Sequence, residues 1–272
     1  MRRVVLVLGL ACLLLAPSAA GAATRILAVG DFGIGGETQR ATGAAIERFE
    51  STHPAQALVT LGDNDYSRGR SFARNWRESF GWLEGAGVHV AGTLGNHDYE
   101  AGDRGAYELE LLGMPRRSYT RRVGDVQLFL LDSNDVSDAQ TRWLERRLRA
   151  STARWKVAAF HHPPWACGGH LGHRDVARRW VPLFERHGVQ LVLSGHDHSY
   201  QRFAPVDGIA YVIHGGGGAG LYPIVGCLPI YPKLEVGRVE HGFLSVVAYD
   251  DRLVVTALDL RGRRSDRFTL DG

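Results

Sequence analysis

Short runs of β-branched and apolar residues alternate along the chain with amphipathic segments of helical period. The runs predict strands at 25–30, 57–61, 89–91, 126–132, 156–160, 189–194, 210–213, 243–249 and 253–259. The amphipathic segments predict helices at 38–50, 72–83, 137–150 and 176–187. Because strands and helices alternate, the pattern indicates an α/β fold of stacked layers. The last third of the chain is predicted to be mainly strands and turns.

Five of the predicted strands end directly in a polar cluster. The clusters are GDFG at 30–33, GDNDY at 62–66, GNHD at 95–98, HHPP at 161–164 and GHDH at 195–198. Open α/β sheets present their ligand sites at the carboxyl ends of strands, so these distant clusters are expected to meet at one rim. Any one of them alone is more typical of a turn or a surface site. Together they supply carboxylates, an amide, imidazoles and a phenol, a donor set that suits metals binding nitrogen and oxygen.

The order GDxG, GDNxxY, GNHD, HxP and GHxH resembles the purple acid phosphatases, within the wider calcineurin-like metallophosphoesterases. The resemblance runs from Arg25 to about Gly220 and is strongest to the small, tartrate-resistant type. It implies a layered sandwich of two mixed β-sheets flanked by helices. No Pro/Ser-rich linker divides the chain, so we expect one catalytic domain over residues 24–272.

The resemblance also implies a ligand set for two metal ions. Asp31, Tyr66 and His198 would hold Fe(III), and Asp63 would bridge to the second metal. Asn96, His161 and His196 would complete the second site, which would hold Fe(II), Zn or Mn. His161 is preferred to its neighbour His162 because the family pattern is HxP.

Tyr66 distinguishes the purple type from other metallophosphoesterases. Many relatives carry a metal-binding His in the first cluster, where this chain has Gly33. The resemblance implies that a Tyr66 phenolate takes its place and gives the iron a visible charge-transfer band. The alternative is that Tyr66 is a packed aromatic residue.

The implied activity is metal-dependent hydrolysis of phosphate monoesters, of the acid phosphatase type, with a hydroxide held by the metals as nucleophile. A pair of cations suits this chemistry because it can clamp the anionic phosphoryl group. A phosphodiesterase of the same superfamily is the nearest alternative. A non-catalytic metal- or phosphate-binding module of the cell envelope is a second one.

Two further histidines are candidates for binding substrate and protonating the leaving group. His97 follows Asn96, and His170 lies nine residues after His161, both at positions where the family has such a histidine. His173 competes with His170 for this role. Asp98 is expected either to orient His97 or to cap a turn.

Three features near the clusters have structural interpretations as well. The glycine run 215–218 lacks the Lys-Ser/Thr ending of a P-loop and is interpreted as a flexible turn near the site. Trp165 and Tyr222 either shape a substrate entrance or pack structurally.

The N-terminus has the composition of a secretory signal peptide over residues 1–23. Arg2 and Arg3 precede a short apolar run, which leads into an Ala-rich cleavage zone. We therefore expect an exported protein, periplasmic or extracellular and bacterial in character, with no membrane span once the signal is removed.

The charge balance and the cysteine content bear on the expected partner and on disulfide formation. The whole chain has 32 basic and 29 acidic residues, and removal of Arg2 and Arg3 leaves a net charge of about +1. No basic stripe is present, so nucleic-acid binding is not predicted, and the expected partner is a small phosphate ester. Once Cys12 leaves with the signal, Cys167 and Cys227 either form one disulfide or remain free thiols.

Overall fold

The structure is a computed structural model that describes residues 23–272. The predicted signal peptide, except for Ala23, lies outside the described residues, as does Cys12. None of the helices within residues 23–272 combines the length and apolar character needed to cross a bilayer.

Within residues 23–272 the chain forms thirteen strands. They are β1 (Thr24–Val29), β2 (Ala57–Thr60), β3 (His89–Ala91), β4 (Tyr119–Val123), β5 (Val126–Leu130), β6 (Trp155–Ala159), β7 (Leu191–Ser194), β8 (Tyr200–Phe203), β9 (Ala210–His214), β10 (Leu234–Arg238), β11 (Gly242–Ala248), β12 (Arg252–Asp259) and β13 (Arg264–Asp271). All nine predicted strands are confirmed, with ends that shift by at most two residues. The sequence analysis missed β4, β8, β10 and β13.

The described residues also form seven α-helices and a short 3-10 helix at Asp98–Glu100. The α-helices are α1 (Gly36–Glu50), α2 (Phe72–Phe80), α3 (Leu83–Ala86), α4 (Ala106–Leu111), α5 (Asp138–Ala150), α6 (Arg174–Arg179) and α7 (Val181–Arg186). Two predicted helices are each divided in two. The segment 72–83 breaks at Gly81, and the segment 176–187 restarts at α7, where Pro182 is at the start of the helix.

The strands form two mixed sheets. The first has the order β13-β12-β11-β1-β2-β3, and the second has the order β10-β8-β9-β7-β6-β5-β4. Strands β1, β2 and β3 are parallel to one another, as are β5, β6, β7 and β9. This confirms the predicted layered sandwich of two mixed sheets flanked by helices.

Alternating side chains build the layers. Ile26 and Ala28 of β1 face the core between the two sheets, whereas Leu27 and Val29 pack with Ile46 of α1 on the outer face. A third cluster covers the outer face of the second sheet, where Phe129 and Val192 pack against Trp180 and Phe184. Because both faces of each sheet's centre are covered, the central parallel strands consist almost entirely of apolar residues.

A disulfide ties the segment after β6 to the segment after β9. Cys167 and Cys227 are bonded, with their Cα atoms 4.4 Å apart and a sequence separation of 60. Of the two alternatives left open by the sequence, the structure has the disulfide. It joins two segments that border the polar clusters.

Glu108 of α4 is an acidic side chain in the interior. It is fully buried, and neither of its carboxylate oxygens has a hydrogen-bond partner. Burial raises the pKa of Glu108 from 4.5 to about 7, and the negative charges of Asp103 and Asp65 add to the effect while Arg117 opposes it. The folded protein therefore favours the neutral acid.

This shift predicts a stability that depends on pH. Since the folded-state pKa of Glu108 is the higher one, its contribution is present below pH 4.5 and is lost as pH rises through about 7. Glu108→Gln should remove this loss and be the more stable form at pH 8, by up to about 3 kcal/mol. Urea unfolding of the metal-free protein between pH 4.5 and 8 measures the difference.

The matched control is Glu110→Gln, an exposed glutamate on the same helix. Its free energy of unfolding should run parallel to that of the unchanged protein across this range. Parallel curves for Glu108→Gln would show that Glu108 is already ionised in the fold.

Candidate metal centre

The five polar clusters meet at one rim, where the first sheet faces the second. The clusters of the first sheet follow β1, β2 and β3, and those of the second follow β6 and β7. Backbone hydrogen bonds join the clusters within each sheet. The Asp31 N–H donates to the Gly62 carbonyl at 3.0 Å, and the Gly195 N–H donates to the His161 carbonyl at 3.0 Å. The two halves meet where the His196 N–H donates to Asp31 Oδ2 at 2.9 Å.

Three residues of the rim have backbones in the left-handed region. The φ angles are 59° for Asp31, 52° for Asp63 and 71° for His196. Such a conformation costs about 1–3 kcal/mol for a residue with a side chain, and it persists where the surroundings enforce it. Its occurrence at three converging residues indicates a functional site.

The first group of ligand atoms consists of Asp31, Asp63, His198 and Tyr66. One ligand atom from each of Asp31, Asp63 and His198 lies within 4.8 Å of the others. The Tyr66 hydroxyl lies 3.1 Å from Asp63 Oδ2 and 3.2 Å from His198 Nε2. Tyr66 therefore points into the group and does not pack elsewhere as an aromatic residue.

The second group is centred on Nε2 of His161. This atom lies 3.1 Å from Asn96 Oδ1, 3.2 Å from His196 Nδ1 and 3.4 Å from Asp63 Oδ2. A spacing of 3.2 Å between the two ring nitrogens suits two ligands of one ion, because bonds of about 2.0–2.1 Å in a tetrahedral site set them roughly 3.3 Å apart.

Asp63 Oδ2 lies between the two groups. It is in contact with the Tyr66 hydroxyl on one side and with His161 Nε2 on the other. The second oxygen, Oδ1, accepts the His97 backbone N–H at 2.9 Å, which holds the carboxylate in this orientation.

The far nitrogens of two imidazoles are held by backbone carbonyls. His161 Nδ1 donates to the Leu61 carbonyl at 2.9 Å, and His198 Nδ1 donates to the Gly220 carbonyl at 2.7 Å. These bonds place the proton on Nδ1 and direct Nε2 of each ring to the centre, as is usual for metal-ligating histidines.

The centre contains two buried carboxylates with little positive charge near them. Asp31 and Asp63 are almost completely buried, and Asp31 Oδ1 has no hydrogen-bond partner. Among the described residues, their only cationic partners within 4.0 Å are the imidazoles of His198 and His161. Burying carboxylates in this way is unfavourable unless a cation compensates them.

Burial and the neighbouring charges also shift the pKa values of the groups in the centre. Burial raises the pKa of Asp31 and also that of Tyr66, where the charges of Asp31 and Asp63 add to the effect. Burial alone would raise the pKa of Asp63, but His161 and the hydrogen bonds of His161 and His97 hold it at about 2. Burial alone would lower the pKa of His161, but Asp63 and Asp31 raise it to about 9.

The donor set therefore fits metal ions. Two carboxylates, a phenol and an amide oxygen converge with three imidazole nitrogens, and the proton that His161 holds is one that a cation would replace. The oxygen donors come from the first sheet and the nitrogen donors from the second.

Gly33 leaves no room for the histidine that many relatives have at this position. A Cβ atom on Gly33 would lie 2.1 Å from the backbone carbonyl of Asn64. The Gly33 N–H also donates to the Asp63 carbonyl, which holds the first cluster against the second. The Gly33 carbonyl accepts the Tyr66 N–H at 3.0 Å, so the first cluster also fixes the backbone of Tyr66.

His97 lies at the edge of the first group. Its ring centroid is 4.2 Å from that of Tyr66, and its Nδ1 lies 3.0 Å from Oε1 of Glu100. The suggestion that Asp98 orients His97 is wrong, because the Asp98 carboxylate accepts N–H bonds from Gly95, Asp65 and the Asn64 side chain and so organises the turns. The orienting residue is Glu100, which the sequence analysis missed; its spacing of three residues from His97 was the available signal.

His170 and His173 have different surroundings. The ring of His170 stacks on that of His196, with centroids 4.1 Å apart. His173 instead caps α6, where its Nδ1 accepts the Val176 N–H at 3.3 Å. The geometry therefore places His170 at the centre and gives His173 a structural role.

His162 lies behind the second group. Its Nδ1 lies 2.8 Å from the Ser133 hydroxyl, and its ring centroid is 4.5 Å from that of His196. A ligand atom of His162 comes within 4.8 Å of those of His161 and His196. His161, however, is the residue in contact with Asp63 and Asn96. Ser133 was missed by the sequence analysis, since its only signal is that it closely follows β5.

Tyr222 and Trp165 lie in different surroundings. The Tyr222 ring stacks on that of His198, with centroids 4.2 Å apart and planes inclined by 9°. Trp165 packs against Tyr211, so it belongs to the outer layer of the second sheet. Of the two, Tyr222 is the one that borders the centre.

The interpretation of residues 215–218 as a flexible turn is wrong. The four glycines are buried, and the Gly217 N–H donates to the Gly30 carbonyl at 2.9 Å. A Cβ atom on Gly217 would lie 2.2 Å from that carbonyl oxygen. The run consists of glycine because it packs directly against the backbone of the first cluster.

Comparison with known proteins gives a consistent result. The model of the calcineurin-like phosphoesterase family matches residues 24–200, which contain all seven proposed ligands together with His97 and His170. Purple acid phosphatase 17 of Arabidopsis thaliana is 24% identical, over 86% of this chain and 83% of that protein. Purple acid phosphatase 3 of the same plant is 25% identical, over 92% and 78%.

Solved structures show the same fold. The purple acid phosphatase PPD1 from yellow lupin seeds superposes with a TM-score of 0.76 at 18% identity, covering 92% of this chain and 54% of the lupin chain. GAP50, described as the anchor in the inner membrane complex of Plasmodium, also has a TM-score of 0.76, at 17% identity, covering 92% and 89%.

Metal binding can be tested with two buried aspartates. Asp31→Asn removes a charge from the centre, so it should weaken metal affinity at least about 100-fold, more than the loss of an outer-shell partner costs. Asp65→Asn is the matched control, because the Asp65 carboxylate is also buried but accepts hydrogen bonds from the Ser67 hydroxyl and the Gly69 N–H. Calorimetric titration of the metal-free variants with Zn²⁺ measures both.

Asp65→Asn should lower the melting temperature of the metal-free protein, since it disturbs a buried carboxylate that is hydrogen-bonded. Only Asp65→Asn should keep the rise in melting temperature that added Zn²⁺ produces in the unchanged protein. Equal Zn²⁺ affinity in Asp31→Asn and the unchanged protein would remove Asp31 from the ligand set.

Proposed function

Because this chain belongs to the calcineurin-like phosphoesterase family, we propose that it hydrolyses phosphate monoesters at a centre of two metal ions, as an acid phosphatase of the purple type. Hydrolysis of phosphoric esters is the activity of the family and of the purple acid phosphatases to which the chain is similar. The metal pair, the identity of the metals and the preference for monoesters are the proposed part.

The observation that carries the proposal is the position of Asp63 Oδ2. It lies 3.1 Å from the Tyr66 hydroxyl and 3.4 Å from His161 Nε2, so one buried oxygen touches both groups of ligand atoms. Asp31, Tyr66 and His198 would hold one ion, and Asn96, His161 and His196 the other, with Asp63 as the bridge. This is the arrangement expected when two cations share a carboxylate.

Tyr66 supports Fe(III) at the first site. Its hydroxyl is directed at Asp63 and His198. Burial among carboxylates raises the pKa of Tyr66, so only a strongly charged cation would stabilise its phenolate. The second site, with two imidazoles and one amide, suits Fe(II), Zn or Mn.

The bound ions would supply the positive charge that activates water and stabilises the phosphoryl oxygens. The protein's own residues have the remaining tasks. His97 and His170 flank the centre on two sides, one against Tyr66 and the other against His196, where each can bind a phosphoryl oxygen or protonate the departing alkoxide. Glu100 holds the His97 ring, and Tyr222 covers His198.

The similarity to GAP50 shows why the fold alone does not decide the function, since that protein is described as an anchor. A non-catalytic module would have no use for histidines beside the ligand atoms to protonate a leaving group. The presence of His97 and His170 next to a full donor set is what favours an enzyme.

We also propose that the protein works outside the cytoplasm, as the single catalytic domain of residues 24–272. The Cys167–Cys227 disulfide supports this, because such bonds persist mainly in oxidising compartments.

The proposal is tested by metal analysis, a visible spectrum and a panel of esters. The purified protein should contain iron with a second metal, absorb visible light, and hydrolyse a phenyl phosphate monoester faster than the matched diester. Tyr66→Phe should lose the visible band, because the phenolate ligand is the source of the charge transfer.

Tyr222→Phe is the control, since Tyr222 also borders His198 but contacts it through the face of its ring. It should keep the visible band. A colourless and fully active protein would refute the Fe(III)–Tyr66 site, and faster turnover of the diester would assign the chain to the phosphodiesterases.

His170 and His173 provide a second test. His170→Ala should lower kcat by ~10²–10⁴ if His170 is the general acid. His173→Ala should leave kcat near that of the unchanged protein but lower the free energy of unfolding by about 1 kcal/mol, because it removes the cap of α6. Steady-state kinetics and urea unfolding of both variants separate the two roles; full activity of His170→Ala would exclude it from catalysis.

A further inference from the structure

One side of the proposed centre carries exposed apolar side chains. Leu171, Val225, Leu228 and Ile230 are 69%, 73%, 42% and 85% exposed. We call these four residues the apolar rim. Large aliphatic side chains exposed on one surface mark a binding site when they form a contiguous patch.

The apolar rim is held by the disulfide-linked segments. The Val225 and Gly226 N–H groups donate to the Cys167 carbonyl at 3.0 and 3.1 Å, and Cys167 pairs with Leu171 in a β-bridge. The Tyr231 hydroxyl accepts the Gly172 N–H at 3.2 Å. Together with the Cys167–Cys227 bond, these contacts join both segments into one surface.

This surface is continuous with the centre. Leu171 directly follows His170, whose ring stacks on His196. On the other segment, the Tyr222 N–H donates to the His198 carbonyl at 3.0 Å, and its ring stacks on that of His198. A phosphoryl group at the centre would therefore have the apolar rim beside its leaving group.

Charge is absent from these segments. Neither 157–173 nor 215–232 contains Asp, Glu, Lys or Arg. The other flank of the centre differs, because Glu100 there binds both His97 and Arg68. The two sides of the centre thus present different chemistry to a substrate.

We propose that the apolar rim binds the hydrocarbon part of the substrate, so that the preferred substrates are phosphate monoesters of apolar alcohols, free in solution. This inference rests on the proposed function, since it assumes that the phosphoryl group is held at the metal centre. A substrate with several phosphates would need cationic side chains near its leaving group, and these two segments offer none. The basic residues that directly follow these segments are Arg174 and Lys233, both exposed. They are fewer than the cluster of about four to eight Lys and Arg by which a surface recognises anionic lipid.

The test is a series of n-alkyl phosphates from ethyl to octyl, with glycerol phosphate as the polar comparator. The leaving groups are chemically alike from propyl onward, so differences report binding of the chain. We expect kcat/KM to rise with each methylene, by up to about fourfold where the methylene is fully buried. Octyl phosphate is used below its micelle concentration.

The double variant Leu171→Ser/Ile230→Ser should flatten this dependence to within about twofold over the series, because both side chains project into solvent and their replacement leaves the core intact. Tyr249→Ser is the control. Tyr249 is also exposed, but it follows the end of β11 that pairs with the start of β1, away from the centre. It should keep the full chain-length dependence, and the melting temperatures should show that both proteins are folded.

Several results would overturn the proposal. Equal kcat/KM for glycerol phosphate and the long-chain esters would leave the chain a phosphatase without an apolar subsite. Preference for a long-chain phosphate embedded in phosphatidylcholine vesicles over dissolved octyl phosphate would make the apolar rim a membrane contact. Failure to hydrolyse any ester, with metals bound, would refute the proposed function itself and is thereby distinguished from failure of the rim.

Discussion

The carboxylates of Asp31 and Asp63 are buried side by side, and within residues 23–272 only imidazoles approach them with positive charge. The surroundings hold these carboxylates in place at a cost. Their backbones adopt the left-handed conformation. At 33 and 217 only glycine fits, because a Cβ atom there would collide with the backbone of Asn64 or of Gly30. A structure that accumulates buried negative charge and local strain at one point is organised to bind cations there.

The division of ligands between the sheets explains why the centre lies where it does. The oxygen donors follow strands of the first sheet, and the imidazoles follow strands of the second. Ions bound between them would link the two layers, at the rim where the shared core ends. The contact from the His196 backbone to Asp31 already joins the halves without metal. Metal binding and the packing of the two sheets are therefore expected to be coupled.

The surroundings of the centre are asymmetric. On one flank, Glu100 connects His97 with Arg68, so that side is polar and charged. On the other flank, the disulfide holds two uncharged segments whose aliphatic side chains point outward. The proposed phosphoryl transfer would use the metals and the flanking histidines. In the proposed enzyme, the uncharged segments would then select the alcohol, in the way that loops on a rigid scaffold usually determine specificity.

Hydrophobic periodicity predicted an α/β fold of stacked layers and nine of the thirteen strands within residues 23–272, because buried strands need apolar residues on both faces. The sandwich of two mixed sheets was implied by the resemblance of the polar clusters to a known family. The order of the five polar clusters likewise determined the composition of the proposed ligand set. The sequence analysis missed β4, β10 and β13, which are edge strands where charged side chains are accepted. It also missed β8, an interior strand of only four residues. Only the tertiary structure decided that Glu100 orients His97, that Asp98 organises the turns and that residues 215–218 are packed. Each of these depends on which group lies within hydrogen-bonding or van der Waals distance, and those neighbours are brought together by folding.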